Sequence, residues 1–147
     1  MTLLEAINIG STGMLAHGQR IEIYAKNIAN IDTPNYVRKI PVLMAKEDAS
    51  FQGLLTRMKD NVFKTGVLPA VPGGVTMTGY VLDPTPGELI YAPGHPDADK
   101  RGYIRKSNVN PLVDMADANM TSRAYEASLA VISVTKAMAQ KATEMGR

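Results

Sequence analysis

The sequence predicts an α+β chain: long N- and C-terminal helices packed as an antiparallel coiled-coil-like pair, with a small β-rich module between them. Three observations carry this. Apolar residues recur in steps of three and four at both ends, the pattern alternates in the middle, and clusters of breakers mark the boundaries. The expected segments are 1–33, an N-terminal helix; 34–109, an extended and β-rich middle; and 110–147, a C-terminal helix.

The first helix is predicted to start almost at once, because Thr2 followed by Glu5 forms a capping box. Its seam reads Leu4, Ile7, Ser11, Met14, Gly18, Ile21, Ala25 and Ile28, apolar at six of eight positions and small at the other two. Pro34 forbids continuation and biases Thr33 toward extended geometry, so the helix should stop near Asn30. That ending, NIANIDTPNY from 27 to 36, holds more side-chain amides and hydroxyls than a stop signal needs. Asn30, Asp32 and Thr33 are placed to bind the last helical carbonyls or the turn amides, and Asn27 to bridge to the opposing helix.

In the middle, 75–82 and 88–91 alternate as strands, with Pro84-Thr85-Pro86-Gly87 as the turn after the first. Residues 51–59 suggest a short helix, and 68–74, with its prolines and glycines, a loop. The last helix opens on Asn110-Pro111, an N-cap followed by proline at the first helical position. Its seam runs Val113, Asp117, Met120, Ala124, Ala127, Val131, Val134, Met138, Lys141 and Met145, and Gly146 closes a helix of about 35 residues against roughly 11 for an average one.

Both helices look unfinished alone. Gly10, Gly13 and Gly18 each cost on the order of 1 kcal/mol in a helix interior. The seams use alanine and methionine where a self-sufficient coiled coil uses leucine and isoleucine. The expectation is that their ordering is coupled to packing against each other and against other subunits. Pairing within one monomer, as an ordinary core, is the alternative.

Composition narrows the chemistry. The chain has 147 residues with 16 basic and 14 acidic side chains, and neither end is an electrostatic arm: residues 1–30 hold two of each sign and 111–147 four of each. A nucleic-acid partner is not expected. There is no cysteine, which excludes disulfides and thiolate chemistry. The opening MTLLEAINIG lacks a basic n-region and an unbroken apolar h-region, and no stretch reaches membrane-spanning length. No cleaved signal peptide and no membrane insertion are expected, and on these features alone the product is a soluble cytoplasmic one.

His95, Asp97 and Asp99 are the one cluster of metal-ligand types, but Pro93, Gly94 and Pro96 describe a solvated turn, and no metal is expected. No Gly-x-Ser-x-Gly, Walker or dinucleotide glycine pattern occurs, and the carboxylates are scattered. The expectation is a chain with no catalytic residues and no cofactor. Arg101, Tyr103, Arg105 and Lys106 read as a charged strand edge. Arg123 and Tyr125 project on either side of the seam residue Ala124, suited to polar contact with a neighbour.

Asn27, Asn30, Thr33 and Tyr36, with SNVN at 107–110 and SRAYEAS at 122–128, resemble the terminal signatures of the bacterial flagellar rod and hook family. The stretch YAPGHPDADKRGYIRKSNVNPLVDM from 91 to 115 is similar to that of a proximal-rod member. The resemblance covers about half of the chain. It implies an axial structural protein without catalytic activity, exported unfolded through the flagellar type III apparatus without a cleaved signal peptide. It further implies assembly in the periplasm, with other copies of itself and other proximal and distal rod proteins, into the tube that transmits motor torque to the hook. The terminal helices would form its inner layer and the middle segment would lie outside. Two departures stand out: Ser128 replaces a common asparagine, and Pro34-Asn35 stands where a glycine often precedes the tyrosine, so Asn35 should take the turn conformation glycine would supply.

The expected interface comprises Leu4, Ile7, Met14, Ile21 and Ile28 on the first helix and Met120, Arg123, Tyr125, Val131, Val134 and Met138 on the last. Asn27, Asn30, Thr33 and Tyr36 form the expected junction. Another flagellar rod subunit, or a cytoplasmic coiled-coil interaction module, are the alternative readings.

Overall fold

In the computed structural model, residues 3–46 and 73–145 are described. Helix α1 spans Leu3–Ala29, strand β1 Lys39–Ala45, β2 Val75–Leu82, β3 Leu89–Tyr91, β4 Tyr103–Arg105, and helix α2 Pro111–Met145. β1 pairs with β2, and β3 pairs antiparallel with β4, in two separate two-stranded sheets. The two terminal helices pack together with these small antiparallel sheets between them in sequence. The predicted capping box at Thr2, the helix at 51–59 and most of the loop at 68–74 lie outside the described residues.

The predicted strands at 75–82 and 88–91 are β2 and β3, but they are not partners. Pro84-Thr85-Pro86-Gly87 carries the chain from one sheet to the other. β1 escaped the sequence reading: its segment, KIPVLMA, contains Pro41, which lacks an amide donor and suits an edge strand. β4 is the charged edge expected at 101–106, narrowed to three residues.

The chain divides into two compact units. One draws on Met1–Ala16, Leu43–Met77 and Tyr125–Arg147, the other on His17–Val42 and Thr78–Ala124. In the first, α1 and α2 approach closely and antiparallel: a Cβ at Gly10 would lie 2.9 Å from Cγ1 of Ile132, and one at Gly13 would lie 3.5 Å from Oγ of Ser128. Gly10, one of the glycines that weaken α1, therefore lets the second helix in, while a side chain at Gly13 would make only an ordinary contact. On the ribbon side, Thr12 Oγ1 accepts the Val75 amide at 3.2 Å, and Gly74, at φ 111°, leaves no room there for a side chain.

In the second unit the buried apolar residues are Ile23, Tyr24 and Val109, and they are matched by buried polar ones, Asn27, Ser107, Asp114 and Thr121. A core that small and that polar must be held by directed bonds as well as by apolar burial.

Candidate functional site

The polar bonds converge on the ends of the helices. Asn27, with no exposed surface, grips one residue of β1 from both sides: Nδ2 donates to the Lys39 carbonyl at 2.8 Å, and Oδ1 accepts the Lys39 amide at 3.0 Å. Tyr36 completes it, its hydroxyl donating to Asn27 Oδ1 at 3.1 Å. The sequence reading aimed Asn27 at the opposing helix, whereas its three bonds go to β1 and Tyr36. One amide here imitates a neighbouring strand, which position and spacing alone do not reveal.

The rest of the motif behaves as its chemistry suggests. Asn30 Nδ2 donates to the Lys26 carbonyl at 2.7 Å, closing the last turn of α1, and Thr33 Oγ1 donates to Asn30 Oδ1 at 3.2 Å. Asn35 stands at φ 61°, the left-handed conformation expected of it, and its amide reaches the Arg105 carbonyl at 2.9 Å.

The second knot is one the sequence reading missed. Arg38 lies two residues beyond Tyr36, and its Nη2 and Nε lie 2.7 and 3.0 Å from Oδ1 of Asp114, which is fully buried in the first turn of α2. Asp83 and Asp117 flank it at 3.7 and 3.6 Å. Hydrogen bonding to Asp114 raises the Arg38 pKa, with burial opposing. The Asp83 carboxyl is held below its ordinary range by its hydrogen bonds from Thr85, with burial opposing and Arg38 adding to the effect.

Asn108, inside the SNVN stretch, ties the backbone around this charge cluster. Its Oδ1 accepts the Arg38 amide at 2.6 Å and its Nδ2 donates to the Thr85 carbonyl at 2.7 Å. Asn110 is the expected N-cap, accepting the Leu112 amide at 3.1 Å. The members of the cluster come from three separate stretches, Arg38, Asp83 and the Asp114/Asp117 pair of α2, which only the fold brings together.

The predicted interface residues fall into two groups. Ile7, Met14, Ile21 and Ile28 are half-buried along α1, while no description covers the Leu4 side chain. On α2, Met120, Val131, Val134 and Met138 are exposed, Met120 at 71%. Arg123 is exposed and Tyr125 half-buried. The less exposed stripe of α2 is shifted one position from the predicted seam and keeps the same spacing: Asp114, Ala118, Thr121, Tyr125, Ser128, Ile132, Thr135 and Ala139. This stripe, mostly small or polar, includes the residues that meet α1, whereas the more apolar seam beside it is uncovered in the single chain.

The loop at His95 has a local explanation. Asp99 Oδ1 accepts the amides of Arg101 and Tyr103, at 2.8 and 2.9 Å, and His95 Nδ1 accepts that of Asp97, so these groups shape the β3–β4 turn. Among the described residues no helix is long and apolar enough to cross a membrane.

Comparison with known proteins meets this geometry at both knots. Residues 7–36 match the family described as "Flagella basal body rod protein", and residues 100–145 match "Flagellar basal body rod FlgEFG protein C-terminal". The first range holds Asn27 and Tyr36, the second Asn108 and Asp114. The two family matches, one at each knot, place the chain in a class of structural, non-enzymatic proteins of the flagellar basal-body rod. Among full-length relatives, "Flagellar basal-body rod protein FlgC" of Bacillus subtilis (strain 168) is 31% identical over 157 residues, covering 100% of both chains. The protein of the same name from Buchnera aphidicola subsp. Acyrthosiphon pisum is 31% identical with 96% of both chains covered, and that of Escherichia coli O157:H7 is 30% identical with 100% covered. The chain belongs to the FlgC family of flagellar basal-body rod proteins.

Proposed function

We propose that this rod subunit builds the proximal rod by repeating one heterologous, non-closing contact between terminal helices, so that copies of itself and neighbouring proximal and distal rod proteins continue one helical tube. The observation that carries this is the uncovered apolar seam of α2, running through Met120, Val131, Val134 and Met138, beside a more polar stripe that includes the contacts to α1. A heptad-spaced apolar surface is a helix-packing surface, and a monomer gains nothing by displaying it to water. Leu4, Ile7, Met14, Ile21 and Ile28 on α1, with Arg123 and Tyr125 on α2, complete the proposed contact set.

In this reading residues 1–33 and 110–147 form the inner layer of the tube and 34–109 its outer part, with the Asn27, Asn30, Thr33 and Tyr36 junction fixing the angle between them. The chain reaches the periplasm through the flagellar type III export apparatus without a cleaved signal peptide, and the assembled tube passes motor torque to the hook. A density map of intact basal bodies from the host tests this. The chain traced in the proximal rod, with the α2 seam against a neighbouring subunit's helix, is the expected result. A seam facing the channel or solvent overturns it.

A further inference from the structure

Helix α1 carries a second unfinished feature, in its polar face. His17 and Arg20 lie three residues apart, one above the other on the helix surface. Nδ1 of His17 and Nε of Arg20 are both buried without a hydrogen-bond partner. Arg20 makes one side-chain bond, from Nη2 to the Tyr24 hydroxyl at 3.1 Å, and its guanidinium carbon lies 5.8 Å from the centre of the Tyr24 ring. Tyr24 is itself buried, so the guanidinium rests on a fixed platform. Among the described residues no carboxylate pairs with Arg20. The His17 pKa is lowered, by burial first and by Arg20 second, with no acid acting the other way. A buried guanidinium edge with no acceptor costs free energy until one arrives, and the acceptor that matches it is a carboxylate.

The chain's own acids narrow the source of that carboxylate. On the terminal helices Glu5 already has an interaction, Glu22 is bonded to Lys26 at 2.7 Å, and Asp114 and Asp117 face Arg38. Glu126 and Glu144, both on α2, are exposed and have no described partner. A heterologous helix contact sets unlike positions of successive copies side by side, so an acid unused on one copy can complete a cation unused on the next.

We infer that His17 and Arg20 form a socket on α1 that receives a carboxylate from α2 of a second copy, Glu126 or Glu144. A small turn of the half-buried Arg20 side chain presents its Nε and Nη edge for a two-point bond, and the neutral His17 imidazole donates Nδ1–H to the same group. The socket would supply register, which an apolar seam of repeated methionine and valine does not. This inference rests on the helix-to-helix assembly proposed above.

Charge exchange in the flagellated host tests it. Arg20→Met keeps most of the packing, so the purified monomer should melt close to wild type while its recovery in isolated basal bodies falls steeply. Arg20→Glu should lose rods, and combining it with Glu126→Arg or Glu144→Arg in the same chain should restore them. A second readout leaves His17, Arg20 and both glutamates in place: the protein has no cysteine, so subunits carrying Gln19→Cys at an exposed position, co-expressed with subunits carrying Ala130→Cys or Gln140→Cys one helical turn from Glu126 or Glu144, should cross-link in rods. Rods formed by Arg20→Met at the wild-type level overturn the socket, as does the absence of both cross-links in rods that hold the paired cysteine variants. If wild-type subunits are missing from basal bodies, it is the assembly reading itself that falls.

Discussion

Nη2 of Arg38 stands 2.7 Å from Oδ1 of Asp114, a carboxylate with no solvent exposure at all, and the two residues are 76 positions apart. Removing either partner is not equivalent. Asp114 depends on Arg38 for its counter-charge, whereas Arg38 also has Asp83 and Asp117 nearby. Arg38→Met should therefore destabilise the monomer by about 3–5 kcal/mol, and Asp114→Asn by clearly less. Urea denaturation of the purified monomers measures both, and an equal or reversed order refutes the asymmetry.

Asn27→Ala removes three hydrogen bonds from a fully buried position and should cost about 2–4 kcal/mol. Asn27→Asp should not rescue it, because a carboxylate oxygen would face the Lys39 carbonyl. Amide hydrogen exchange at Lys39 reads the local effect and should accelerate in both variants. The exposed Thr33 is a contrast: Thr33→Ala, like Asn30→Ala, should leave export largely intact and reduce rod assembly in the host.

The glycines of α1 separate two roles. A Cβ at Gly18 meets nothing within 4 Å, so Gly18→Ala should stabilise the isolated monomer by up to about 1 kcal/mol through helix propensity. Gly10→Ala should destabilise, because Ile132 must move. Thermal melts of the two variants should shift in opposite directions. A Gly18→Ala chain that melts higher yet builds no rods would place a neighbouring subunit against position 18.

Acid should weaken the monomer in two stages. The His17 pKa lies below its ordinary 6.5 in the folded chain, so the unfolded chain takes up that proton first, and stability present above 6.5 is lost as pH falls through the lowered value. The Asp83 pKa is likewise lowered, from 3.8, so its contribution holds above 3.8 and fades below it. In urea titrations across pH, His17→Gln should abolish the first stage and leave the second.

Placing charge on the uncovered seam should separate folding from assembly. Val134→Glu or Met138→Glu should change monomer stability by no more than about 0.5 kcal/mol, since both positions are exposed, while sharply reducing incorporation into basal bodies. Ile132→Glu, one step round the helix at the contact with Gly10, should unfold the monomer instead. Circular dichroism of the purified chains distinguishes the cases.

Local chemistry was legible in the sequence wherever one residue decides it. Pro34 ended α1, Asn110 capped α2, and Asn35 took the left-handed turn because each acts on its own backbone. What could not be read was anything needing two distant segments: β1, whose pairing with β2 is set by the fold, and the Arg38, Asp83, Asp114 and Asp117 cluster. The α2 seam is the instructive case. Periodicity found the more apolar stripe, but the single chain turns the neighbouring, more polar one inward, because hydropathy alone does not say which face of a helix its own chain will cover.

The bonds of Arg38 also fix a timetable. Arg38 waits for Asn108, 70 positions on, and for Asp114, 76 positions on, so a chain released from its N-terminus cannot close this knot until nearly four-fifths of it has emerged. Closing so long a loop is slow compared with forming a turn of helix. Until then the segment leading into β1 lacks its anchor to α2, whereas the turns of α1 need only residues close by in the chain.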